Sequence, residues 1–154
     1  ANAVVVTKCP THMQPIDRRI VSNTLQLASY QHLCYSSIGY APIHLNGTPL
    51  IVTGIANPMP LLTHLQQQYP DTELLAYPDH HIFTPQDVNR IMQKAEQYVC
   101  VVTTEKDYMR LLQTPLVEQL GDKLHVISIQ TNLGIDKEAF DRQILLYVSE
   151  NNRK

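Results

Sequence analysis

The chain has 154 residues, 44% hydrophobic and 17% charged, with a net charge of -2, which is the size and balance of one domain or of one part of a larger protein. That balance excludes both a disordered acidic tail and a basic nucleic-acid binder, so no nucleic-acid partner is predicted. Cys9, Cys34 and Cys100 are odd in number, widely spaced and without a CxxC, which predicts buried thiols in a reducing, cytoplasmic setting rather than a disulfide framework.

The opening ANAVVVT lacks the charged flank of a signal peptide and reads as an internal boundary of a longer chain. AVVVT (3–7) is the first of five apolar, β-branched runs; LIVTG (50–54), ELLAY (73–77), VCVVTT (99–104) and LHVISI (124–129) follow. Runs apolar at successive positions suit strands covered on both faces of a parallel sheet. None approaches the ~18 residues of a membrane span. The segment 31–50 breaks the rhythm by alternating, with turn signals at Ala41-Pro42 and Asn46-Gly47, and predicts a two-stranded ribbon.

Between the later runs lie helical patterns. Asn57-Pro58 opens a helix with Leu61, Leu62 and Leu65 on one face. Thr84, Pro85 and Asp87 open another with Val88, Ile91, Met92 and Ala95 on its inner face, and a cap, a proline at the first position and an acid three residues after the cap form a helix-start signature. A last helix over 136–150 carries Ala139, Phe140, Ile144, Leu145 and Val148 as a stripe. The alternation predicts a three-layer α/β fold with a mostly parallel sheet. The expected divisions are a strand and helix ending one lobe (1–32), a ribbon linker (33–50) and a second α/β lobe (51–154).

Ligands collect at the carboxyl ends of parallel strands. Three loops at such ends carry chemistry here: IANPMP with Asn57, PDHHIFT with Asp79, His80 and His81, and TTEKD with Glu105, Lys106 and Asp107. Each has a structural reading too. Asp79 and His81 suit hydrogen bonds to loop amides, and Glu105 and Asp107 suit the first turn of a helix capped by Thr104. Adjacent histidines on an extended loop point apart, and no HxxxH, HExxH or CxxC supplies further ligands, so no metal site is predicted. Lys8, at the end of the first run in TKCP, faces either a nucleotide or solvent. The five glycines form neither GxxxxGK[ST] nor GxGxxG, so the chain has no phosphate cradle of either kind.

TKCP, TGIANPMP, PDHHIFTPQD and TEKD, in this order and spacing, resemble the C-terminal half of the tetraacyldisaccharide 4'-kinase family, the TKCP form resembling its Bacteroidetes branch. The resemblance covers essentially the whole chain. It implies a P-loop kinase that uses ATP and Mg to phosphorylate the 4'-hydroxyl of a tetraacyldisaccharide 1-phosphate in lipid A biosynthesis, at the inner membrane surface of a Gram-negative cell. The Walker A loop and the catalytic base would lie in an N-terminal half absent from this chain, which by itself would be inactive and would hold no cofactor. The motif match carries a histidine that assists that base onto His80, with Asp79 as its neighbour in the loop and Glu105, Lys106 and Asp107 on the matched rim, which Asn57 shares, while Lys8 is the candidate for cofactor contact. Two other readings compete: a metal-dependent phosphoesterase of the DHH type, which Asp79-His80-His81 spells but which needs DxD-like aspartates missing here, and a non-catalytic α/β interaction module.

Overall fold

A computed structural model describes residues 1–151 of the chain, which divides into two compact units. The first consists of Ala1–Gly39 and the segment from Gln130 onward; the second is Tyr40–Ile129.

In the first unit, AVVVTKC forms β1 (Ala3–Cys9), followed by α1 (Pro15–Leu25) and β2 (His32–Tyr40). β1 and β2 are parallel, Val4 opposite Leu33 and Val6 opposite Tyr35, with an irregularity between Val6 and Cys9. Arg18 of α1 lies over the Tyr35 ring, 4.6 Å from its centroid, and its main-chain oxygen accepts from the Tyr35 hydroxyl. Asp136 completes this joint by accepting from Arg18 Nη1 and from the Tyr35 main-chain N–H.

The second unit contains β3 (Pro49–Thr53), α2 (Met59–Gln66), β4 (Glu73–Ala76), α3 (Pro85–Ala95), β5 (Cys100–Thr104), α4 (Glu105–Leu111), α5 (Leu116–Leu120) and β6 (Leu124–Ile127). The strands are all parallel and lie in the order β4-β3-β5-β6. Every residue of β3 and β5 is buried, because helices cover both faces. Alternate residues serve opposite layers. Leu50, Val52 and Val101 pack with Val88, Ile91, Leu111 and Leu116 of α3, α4 and α5, while Ile51 and Val102 pack with Leu61 and Leu65 of α2. The predicted α/β lobe with a parallel sheet is present, and the predicted inner faces of α2 and α3 are the ones buried.

Residues 33–50 differ from the expected ribbon. They hold a single strand, β2, paired in parallel with β1 because α1 returns the chain as a crossover; residues 41–48 form no strand, and β3 then begins. Asn46-Gly47 is no hairpin turn. An ideal Cβ on Gly47 would lie 2.7 Å from Val99, so its glycine serves close packing. The run 124–129 also divides at Ser128, into β6 and β7 (Ile129–Asn132); β7 joins the sheet of β1 and β2 in the order β1-β2-β7. The chain therefore passes between units at 39/40 and 129/130, and the final helix, α6 (Lys137–Asn151), groups with the first unit instead of with residues 51–129 as expected. Its apolar stripe is not buried: Ile144, Leu145 and Val148 are exposed.

Candidate functional site at the carboxyl ends of β3 and β5

From β3 the chain moves to β4 on one side, then crosses to β5 on the other. In open α/β sheets such a reversal leaves a crevice outside the carboxyl ends of the two central strands. Three loops meet there: the one after β3, the PDHH loop between β4 and α3, and the junction of β5 with α4.

Asp107 organises the floor. It sits in the first turn of α4, where Thr104 caps by accepting from the Asp107 main-chain N–H at 3.2 Å. Its side chain is fully buried, and a buried carboxylate requires donors. Its Oδ2 accepts from the Thr53 hydroxyl at 2.6 Å, the Gly54 N–H at 3.0 Å and the Thr104 hydroxyl at 2.9 Å. Its Oδ1 accepts from Arg110 Nη1 at 3.0 Å. One carboxylate thus ties the end of β3 to the end of β5.

Gly54 is needed by proximity. An ideal Cβ there would lie 3.0 Å from the Pro78 carbonyl oxygen and 3.4 Å from His81 Cβ, so the PDHH loop rests directly on this residue.

The two histidines of that loop have separate surroundings. His81 turns inward and stacks on Tyr77 at 4.8 Å between ring centroids, meets Phe83 edge-on, and pairs through Nε2 with Asp87 at 2.9 Å. Asp87 is the third helical residue of α3 and closes a capping box with Thr84. Burial raises the Asp87 carboxyl, but the Thr84 N–H, His81 and the Thr84 hydroxyl outweigh that, and it lies below its ordinary value.

His80 turns outward. Its side chain is 73% exposed, its backbone is left-handed at φ 60°, and its Nδ1 lies 3.1 Å from Arg110 Nη2. Its main-chain N–H donates to Asp79 Oδ1 at 3.0 Å, and its Nε2 is 3.6 Å from Asp79 Oδ2. Lys106 Nζ donates to the same Asp79 oxygen at 3.1 Å. That bond is the main reason the Asp79 carboxyl lies below its ordinary value, with the His80 charge adding to it.

Of the residues singled out from sequence, Asp79, His80, Lys106 and Asp107 therefore form one connected rim. Glu105 belongs to a separate contact, accepting from the Ser128 hydroxyl at 2.6 Å. Asn57 is exposed on the loop after β3 and makes none of these contacts. Lys8 lies in the first unit, exposed and left-handed at φ 59°, next to a cavity of about 360 Å3 that begins at Cys9. Arg110 is the member that sequence reasoning missed. Its signal is its position three residues after Asp107 on one helix, where the two side chains are neighbours.

Among the described residues no three His, Cys, Asp or Glu side chains gather to hold a metal ion. The rim offers one outward imidazole, one lysine and one carboxylate over a buried polar floor.

A parallel α/β lobe with the strand order β4-β3-β5-β6 and a switch point between β3 and β5 is of the doubly wound class. The family model described as tetraacyldisaccharide-1-P 4'-kinase matches residues 1–149, and the chain belongs to that family. It is 34% identical to a tetraacyldisaccharide 4'-kinase of Phocaeicola vulgatus over 99% of this chain and 48% of that protein. It is 32% identical to that of Bacteroides thetaiotaomicron, over 99% and 48%, and 32% identical to that of Flavobacterium johnsoniae, over 98% and 46%. The chain spans about half the length of these curated relatives. These relatives come from the Bacteroidetes, the branch that TKCP resembles. No solved structure matches the chain.

Proposed function

We propose that the chain is the C-terminal half of a kinase that transfers phosphate from ATP, with Mg, to the 4'-hydroxyl of a tetraacyldisaccharide 1-phosphate in lipid A biosynthesis. On this reading ATP and Mg would be held chiefly by the rest of the polypeptide, where they would supply the phosphoryl group and its charge neutralisation, since the sequence of this chain carries no phosphate-cradling glycine loop. Lys8 is the candidate of this chain for contact with the nucleotide.

The part assigned to this chain is His80. The observation that carries it is the contrast between the two histidines: His81 is consumed by Tyr77, Phe83 and Asp87, whereas His80 is presented to the outside on a strained residue, its Nε2 no closer than 3.6 Å to Asp79 Oδ2. A left-handed non-glycine backbone costs about 1–2 kcal/mol, and such strain concentrates at sites of function. His80 would meet the base on the other half of the protein and help it take the proton of the sugar hydroxyl, with Asp79 and Lys106 shaping the loop. Delivering one catalytic group from a second lobe makes closure part of the reaction.

The location proposed is the cytoplasmic face of the inner membrane. No helix of the described residues is long and apolar enough to cross a membrane. The test is to join this chain to its missing half and assay phosphorylation of the disaccharide lipid. His80→Ala should lower turnover by ~100-fold or more, the usual weight of a general acid-base partner; unchanged turnover would remove the assignment. Adenine nucleotides should bind this chain alone weakly or not at all.

A further inference from the structure

His80 is exposed, and an exposed imidazole by itself fixes neither its direction nor its tautomer. Arg110 changes that. Its guanidinium is planar and only donates. Nη1 is held by the buried Oδ1 of Asp107 at 3.0 Å and lies 3.5 Å from the Gly54 carbonyl oxygen. Asp107 is itself immobilised by Thr53, Gly54 and Thr104 through its other oxygen. The second nitrogen, Nη2, is thereby aimed outward and reaches His80 Nδ1 at 3.1 Å.

We propose that Arg110 is a positioning residue that makes Nδ1 of His80 an acceptor and so leaves the neutral imidazole with its proton on Nε2, facing outward as a donor. A donor cannot take the hydroxyl proton directly. It can grip and orient an anionic oxygen through an Nε2–H···O bond. Asp79 does not fill that role: its Oδ2 is 3.6 Å from Nε2, outside hydrogen-bond reach, and its other oxygen is occupied by Lys106 and the His80 N–H. The inference rests on the reading that His80 takes part in the reaction, and it specifies how.

Two measurements on the full-length polypeptide test it. With 15N-labelled histidine, long-range proton-nitrogen spectra should show neutral His80 protonated at Nε2. Arg110→Lys keeps a cation beside Asp107 but lacks the fork, and should give a mixture of tautomers while the His81 signals stay in place. Arg110→Gln serves as the second variant if the lysine form does not fold. A wild-type proton on Nδ1, or an Nε2–H population in both variants as high as in the wild type, overturns the proposal. In turnover assays Arg110→Lys should cost about 10-fold or more in kcat with little change in KM, the scale of a misplaced reacting group. Added to His80→Ala it should cost nothing further, because the two act as one unit; additive losses overturn the proposal. If His80→Ala leaves turnover unchanged, the functional assignment of His80 fails, and the spectra alone still decide whether Arg110 sets its tautomer.

Discussion

Asp107 and His80 share one arginine: Arg110 donates Nη1 to the buried carboxylate at 3.0 Å and holds Nη2 3.1 Å from the exposed imidazole. A group at the surface is thus referred to the centre of the sheet through two contacts. The consequence for stability is direct. Asp107→Ala would strand the Arg110 charge together with the Thr53 and Thr104 hydroxyls and the Gly54 N–H, and breaking a buried ion pair from one side costs roughly 3–5 kcal/mol. Urea unfolding should show a loss of that size; a loss below about 1 kcal/mol would mean that the carboxylate does not organise this floor.

The left-handed backbone at His80 gives a comparison between two substitutions that both remove the ring. Alanine retains the Cβ penalty and glycine does not, so His80→Gly should be more stable than His80→Ala by about 1 kcal/mol. Thermal melts of the two variants decide it. Equal stability would indicate that the loop relaxes once the imidazole is gone.

His81 and Asp87 lead to a pH effect. The Asp87 carboxyl lies below its ordinary value in the folded chain, despite burial, because of the Thr84 N–H, His81 and the Thr84 hydroxyl. A depressed carboxylate contributes stability that is present above the unfolded value, about 3.9, and is lost as pH falls through the lower folded value. The unfolding free energy of the parent should therefore fall more steeply on acidification into this range than that of Asp87→Asn. Parallel pH profiles would contradict the assignment.

Gly54→Ala tests how closely the PDHH loop approaches β3. The added methyl would meet the Pro78 carbonyl at 3.0 Å, and main chain yields less readily than a flexible side chain. Overpacking of this kind costs about 1–3 kcal/mol. The variant should lose stability on that scale in denaturant titration and shift the amide signals of residues 78–81. A variant with unchanged loop signals would show that the contact is not tight.

Removing Lys106 acts on Asp79 alone. With its main hydrogen-bond donor gone, the Asp79 carboxyl should titrate closer to an ordinary aspartate in Lys106→Met, as followed by carboxyl carbon shifts. The His80 N–H bond to the same oxygen should leave some of the depression in place.

Much of this was legible along the chain because it is local or periodic. The apolar runs located β3 and β5, since a strand covered on both faces is apolar at most positions. Thr84, Pro85 and Asp87 predicted the start of α3 because a helix cap is satisfied within four residues. The PDHH and TEKD elements led to the family through their order and spacing. Residues 33–50 misled because alternation marks a half-buried strand without naming its partner, and a parallel partner such as β1 lies a whole helix away in sequence.

What the sequence determined by itself was therefore the parallel α/β lobe, its capped helices and the three loops that carry polar residues, all properties set by neighbours within a few residues. Which histidine faces outward was decided only by tertiary structure. His80 and His81 are adjacent and chemically identical, and they differ because Tyr77, Phe83 and Asp87 surround one while Arg110, thirty residues away, reaches the other. That separation depends on β3 and β5 lying side by side, so that Asp107 can accept from Thr53 and Gly54 and hold the arginine in place, a pairing across more than fifty residues that no local pattern encodes.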